Sequence, residues 1–266
     1  PVKNAYWWFP FLGGYGGELF DENGTPTLDE SGAAESLEWM MDLELVHEIV
    51  PEGTQKISME NSFEAWDTGM VIDGPWNWAT YEASRLDVGQ AMLPLIEETG
   101  ERVAPLVTYK GWTVSKQSLH KVATVELSLY LSSEDVQKTF ALETYTLPTH
   151  VALDEDAEVQ SDAVLAGFMD QVNVGTPAPT TRGMALVYGP LGTAFEQVYT
   201  GSSSADEALA GANAALDDEI NGLERAVDPP ANEGYRTISV NFTIDGSSNY
   251  TITVDGMNHT QLFGDD

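Results

Sequence analysis

Two tryptophans stand two residues apart at a chain corner, Trp76 and Trp78 in GMVIDGPWNWATYEASRLDVG at 69–89, and they carry the most open chemistry in this sequence. An indole plane packs against the C–H face of a ligand, and it fills a core equally well. Residues at i and i+2 do not share a helix face, so one ring is expected to pack inward and the other to point away. Other reactive arrangements are thin. His47, His120, His150 and His259 are scattered without HxxxH or HExxH spacing. The chain has no cysteine, which excludes disulfides, thiolate zinc sites and cysteine nucleophiles. Carboxylates are abundant, and a retaining glycosidase needs only two of them about 5–5.5 Å apart. No nucleophile elbow, metal motif or phosphate loop accompanies them, and neither a metal nor another cofactor is implied.

The elements that hold these rings follow from pattern. Met70-Val71-Ile72-Asp73 is short, apolar and β-branched and reads as a buried strand stopped by Gly74-Pro75. Trp76 then falls at the mouth of a helix and at the carboxyl end of a strand, the rim where open α/β sheets bind ligands. Residues 5–20, AYWWFPFLGGYGGELF, read as an irregular segment lining a surface or cleft. A helix from Ala33 to about Glu48, capped by Asp29 or Ser31, turns Leu37, Met40, Met41, Leu43 and Leu45 away from its acidic, solvated side. Further helices are expected over Ser58–Thr68, His120–Ser132, Glu134–Glu143, Ser161–Val172, Met184–Tyr199 and Ala205–Leu223.

Strands are expected at 88–94, at 102–106 after a turn at 97–101, and at 111–115, while GTPAPTTRG at 175–183 reads as a linker. Interleaved strands and helices argue an α/β fold. After Pro229-Pro230 the pattern changes to alternation on either side of Asp245-Gly246, a β-hairpin. Sequons at Asn241, Asn249 and Asn258, with Asn23 upstream, fit an exported surface.

Charge bounds the partners. The sequence holds 43 Asp and Glu against 11 Lys and Arg, a net −32, with 42% hydrophobic residues. Enough apolar sequence is present to rule against disorder, and no basic patch exists to meet nucleic acid phosphates. Spread along the whole chain, such an excess reads as the haloarchaeal style of adaptation to molar salt, which screens charges to about 3 Å. No apolar run approaches the ~20 residues of a membrane span. The chain opens at Pro1 with neither Met nor a signal-peptide pattern and reads as a piece whose beginning lies upstream.

The order of these pieces resembles the sugar-binding subunits of ABC importers, of the maltose/maltodextrin-binding type. FEAWDTGMVIDGPWNWATYEASRLDVGQAMLPL at 63–95 carries the resemblance, supported by AYWWFP at 5–10, by the helices from Lys121 to Pro148, and by MALVYGPLGTAFEQVYTGSSSADEAL at 184–209. The resemblance implies an incomplete, two-lobe periplasmic-binding-protein-like α/β fold with a short β-hairpin tail. Residues 1–110 would belong to the second lobe and 111–155 to a returning segment of the first. Residues 156–225 would form a linker and closing helices, and 226–266 a Pro-linked tail that begins another module.

It also implies malto-oligosaccharide stacked in an interlobe cleft on Tyr6, Trp76 and Tyr188, with Trp7 and Asn4 beside them and Trp78 as the core anchor. A membrane permease would be the partner, and the protein would be extracellular, anchored at the cell surface by lipid through a missing N-terminus. No enzymatic activity is implied. The sequence departs from the family pattern at Asn4, where a ligand-binding Glu is usual, and at Tyr188, where Trp is usual. A sugar-binding module fused to a starch-acting glycoside hydrolase is the alternative.

Overall fold

The computed structural model describes residues 1–226, with side chains through 222, and the backbone of 240–244 and 250–254. In chain order its elements are α1 (Ala5–Gly14), α2 (Ala33–Leu45), α3 (Lys56–Glu64), α4 (Trp78–Ala83), β1 (Leu106–Val107), α5 (Lys121–Leu131) and α6 (Glu134–Thr144). Then follow α7 (Ala157–Ser161), α8 (Ala163–Asn173), β2 (Thr176–Pro177), α9 (Tyr188–Tyr199), α10 (Ala205–Ala226), β3 (Val240–Ile244) and β4 (Tyr250–Val254). One unit comprises Pro1–Lys110 and Glu134–Arg225, the other Gly111–Ser133 and Ala226–Asp266.

The larger unit is organised by α1, the segment expected to be irregular. Asn4 caps it, its Oδ1 accepting from the Tyr6 amide at 3.0 Å. Trp7, Trp8, Phe9, Phe11 and Leu12 are all buried, so the helix is apolar nearly all round and is held by its surroundings. That burial offsets Pro10, since proline in a helix interior costs about 3 kcal/mol. The composition that suggested a loop belongs to a core helix.

α2 packs on α1 through Trp8, whose Nε1 donates to Ser36 Oγ at 2.9 Å, and through Phe11 and Trp39, whose rings lie 4.8 Å apart. Neither Asp29 nor Ser31 is its N-cap residue. That place is taken by Gly32 at φ +84, where a Cβ would lie 2.3 Å from the Tyr15 carbonyl oxygen. Leu37, Met40 and Met41 are buried as expected, but Leu45 is exposed and Glu44 is buried. Glu44 Oε1 accepts from the Gly53 amide and from the Tyr199 hydroxyl, both at 2.7 Å, which satisfies a carboxylate that lost its water. That bond pushes the Tyr199 phenol up to about 12. α9 and α10 complete the core: Phe195 meets Trp8 edge-on at 5.3 Å, and Leu191, Leu209 and Leu216 are fully buried.

A second apolar cluster joins α6, α7 and α8 around Ala141, Leu153, Val159 and Leu165. Asp162 caps α8, its Oδ1 accepting from the amides of Val164 at 2.9 Å and Leu165 at 3.0 Å. Asp162→Ala is expected to cost about 1 kcal/mol, read as a lower urea midpoint at unchanged slope.

The expected strands at 70–73, 88–94 and 111–115 are not strands, and Met70 and Ile72 are exposed. A strand exists through its ladder, and among the described residues none of these three lies in one; 88–94 is met only at its end, where the Pro94 carbonyl accepts from the Val103 amide at 3.0 Å. The turn at 97–101 is present, closed by an isolated bridge between Leu95 and Arg102. Of the strand expected at 102–106, only Leu106 lies in a ladder, in β1. The proposed linker at 175–183 instead supplies β2, which pairs in parallel with β1, Leu106 opposite Thr176.

In the smaller unit, α5 carries Val122, Val125 and Leu129 half-buried. There too β3 and β4 form the antiparallel pair expected of the tail, Val240 opposite Val254. The Pro229-Pro230 junction, the Asp245-Gly246 turn, His259, the sequons Asn249 and Asn258, and the side chain of Asn241 lie outside the described residues.

Ion pairs seat Lys3 on Glu196, Lys56 on Glu60, and Lys138 on Asp156 and Glu158. With 43 acids and 11 bases, most carboxylates cannot be paired with a base. Raising KCl from about 0.1 M to about 2 M is expected to lift the thermal midpoint by about 5 °C or more. Circular dichroism melts check this, and a midpoint that falls with added salt contradicts the high-salt reading.

Candidate functional site

The corner that carries the tryptophans is pinned from below by one carboxylate. Asp73 Oδ1 accepts from the Gly74 amide at 2.8 Å, and its Oδ2 accepts from Asn77 Nδ2 at 2.7 Å and from the Tyr81 hydroxyl. Asn77 Nδ2 also donates to Glu60 Oε1 at 2.7 Å, and Glu60 pairs with Lys56 at 2.8 Å, so α3 is tied to the corner. The Lys56 ammonium holds the Glu60 carboxyl below its ordinary value. Burial first, then the Asp73 carboxylate, push the Tyr81 phenol up. Phe63 covers Tyr81 edge-on at 5.0 Å.

A single turn of 3-10 helix, Pro75–Asn77, with Pro75 at its first position, feeds α4. The two rings then diverge as the i, i+2 spacing requires. Trp78 is 8% exposed, donates from Nε1 to Glu82 at 3.2 Å, and packs edge-on against Tyr145 and Phe168. Glu82 also accepts from Tyr145 at 2.8 Å, and burial with that bond raises the Tyr145 phenol to about 12. Trp76 is 52% exposed.

Trp76 meets Tyr6 with ring centroids 6.2 Å apart and planes at 62°. Tyr6 sits in the first turn of α1, and Phe9, one turn on, contacts Tyr188 at 5.7 Å. Tyr188 opens α9. Burial first, then Tyr188 and Asp73, push the Tyr6 phenol up. Tyr6, Trp76 and Tyr188 are all exposed; Tyr6 meets Trp76, and Tyr188 meets Phe9 on the helix that carries Tyr6.

The other two expected site residues are placed differently. Trp7 is buried, its Nε1 donating to the Ile72 carbonyl at 3.0 Å, so it fastens α1 to the segment before the corner. It supports Tyr6 edge-on at 5.1 Å and presents little surface of its own. Asn4 commits its Oδ1 to capping α1. Sequence reasoning missed Asp73, Glu60 and Tyr81 as the groups that fix the corner. Asp73, Asn77 and Tyr81 recur at intervals of four, a polar stripe that was there to be read.

Residues 1–138 match the model of the family described as bacterial extracellular solute-binding protein. The chain belongs to that family. Its relatives in this family include the maltodextrin-binding protein MdxE of Bacillus subtilis, 27% identical over 192 residues, which are 69% of this chain and 45% of that protein. The maltooligosaccharide ABC transporter solute-binding lipoprotein of Streptococcus pneumoniae is 23% identical over 219 residues, 80% of this chain and 51% of that one. Among solved structures, the maltose/maltodextrin-binding domain MalE from Bdellovibrio bacteriovorus, bound to maltotriose, matches with a TM-score of 0.75 at 28% identity.

That match covers 82% of this chain and 58% of the other. The chain spans about half the length of the curated relatives it matches and takes part of the two-lobe binding-protein fold, as expected. Solute binding, not catalysis, is what the family's description names, so the glycosidase reading is not favoured.

Proposed function

We propose that the protein binds malto-oligosaccharide and delivers it to the permease of an ABC importer. The observation that carries this is the exposed aromatic set Tyr6, Trp76 and Tyr188 in a chain of the solute-binding family. A pyranose presents a face of C–H groups to an aromatic plane, and its hydroxyls seek polar partners at the rim. Phenol groups on Tyr6 and Tyr188 supply such partners. Trp7 and Asn4 act behind this surface, holding Tyr6 in place.

In this reading 1–110 lies in the second lobe, 111–155 returns to the first, 156–225 closes the second, and 226–266 starts a further module. Sugar contacts made on both lobes favour the closed state, which is the form a permease recognises. The protein works outside the cell, tethered to the surface by lipid, as the S. pneumoniae relative's description as a lipoprotein supports.

Calorimetric titration of the protein in about 2 M KCl with maltotriose, a galacto-configured trisaccharide and glucose tests the substrate class. Saturable heat with maltotriose and at least tenfold weaker binding of the other two is the expected result. Tighter binding of the galacto-configured sugar would move the assignment to that sugar, and no binding of any of them would overturn it.

A further inference from the structure

The Trp76 indole folds back across the residue two before it. A Cβ built on Gly74 would lie 2.3 Å from both Cη2 and Cζ3 of that ring and 2.7 Å from Cε3, far inside the 3.5–4.0 Å at which carbon atoms attract. Gly74 itself has φ −117 and ψ 176, extended backbone open to any residue. The three atoms nearest to that Cβ all belong to the ring, which excludes a side chain while the indole holds this position. Nor can the backbone readily yield, because Asp73 holds the Gly74 amide and reaches Asn77 and Tyr81, while Pro75 fixes its own φ. A group added at position 74 must displace the indole, whose aromatic neighbour is Tyr6 at 6.2 Å.

We propose that Gly74 is a positioning residue for the sugar-facing ring: its bare Cα is the floor on which the Trp76 indole rests, and this contact sets the tilt of the ring against Tyr6. The role in sugar binding rests on the assignment of Trp76 made above; the seat itself does not. Glycine is needed here for what it lacks above its Cα, not for its conformational freedom.

The test is the 19F spectrum of protein labelled with 5-fluorotryptophan, which has seven tryptophans, with the Trp76 resonance assigned by its loss in Trp76→Phe. Gly74→Ala is expected to shift the Trp76 resonance and leave that of Trp8 in place. It should also weaken maltotriose binding about tenfold, part of the loss caused by removing the ring. In a Trp76→Ala background the same substitution should have no effect on affinity, since its target is gone.

An unmoved Trp76 resonance overturns the seat, and a shifted resonance with unchanged affinity overturns its role in binding. If Trp76→Ala itself leaves affinity intact, the sugar assignment fails while the resonance still decides the seat. Should Gly74→Ala unfold the protein, recovery of folding in Gly74→Ala/Trp76→Ala supports the clash, and failure to recover overturns it.

Discussion

Trp8→Ala is expected to destabilise the larger unit by about 3–5 kcal/mol, the range for truncating a large buried aromatic. Trp8 is fully buried at the crossing of α1 with α2 and α9. Its removal opens a cavity lined by Phe9 and Phe195, and it strips Ser36 Oγ of its Nε1 donor. α1 has little else to keep it helical, since Pro10 interrupts it and its sides are apolar. Urea denaturation in molar KCl reads the effect. Trp66, 66% exposed, is the control, and its replacement by Ala should change stability by less than about 0.5 kcal/mol. Equal losses at the two positions would contradict the placement of the core.

Trp76→Ala is expected to leave stability nearly unchanged and to weaken sugar binding by about 2 kcal/mol, roughly 30-fold. The ring is half-exposed, contacts Tyr6 only at its edge, and shares none of the Asp73 hydrogen bonds that fix the corner. Its loss therefore removes a stacking plane without loosening the backbone that carries it. Trp78→Ala should show the reverse pattern, because Trp78 packs against Tyr145 and Phe168 and holds Glu82. The two substitutions together separate a ligand platform from a core anchor at positions only two residues apart.

How far the sequence could be read depends on the range of the interaction that decides each element. α2, α6, α9 and α10 follow from the helical spacing of residues such as Leu37, Met40 and Met41, a signal carried within a few turns. The divergence of Trp76 and Trp78 is equally local. α1 was not legible, because an all-apolar helix has no periodicity and Pro10 argues against it; only the packing of α2 and α9 around it makes it stable.

Strand-like composition at 70–73 and 88–94 misleads because a strand is decided by a partner distant in sequence. Glu44 shows the same limit. An acid near a helix end is solvated by default, and it is buried here because Gly53 and Tyr199 bring it two donors. At the site, the ring that faces outward is legible, while the groups that hold it, Asp73 and Gly74, read in sequence only as a strand end and a turn.

The central claim is that Trp76 meets the sugar, and tryptophan fluorescence during titration of maltotriose into the protein at molar KCl measures it most directly, with Trp76→Ala beside the unaltered sequence. A saturable change in emission that Trp76→Ala abolishes is the predicted result. Saturable binding that persists at full strength in Trp76→Ala, or no response from protein shown to be folded by circular dichroism, would contradict it.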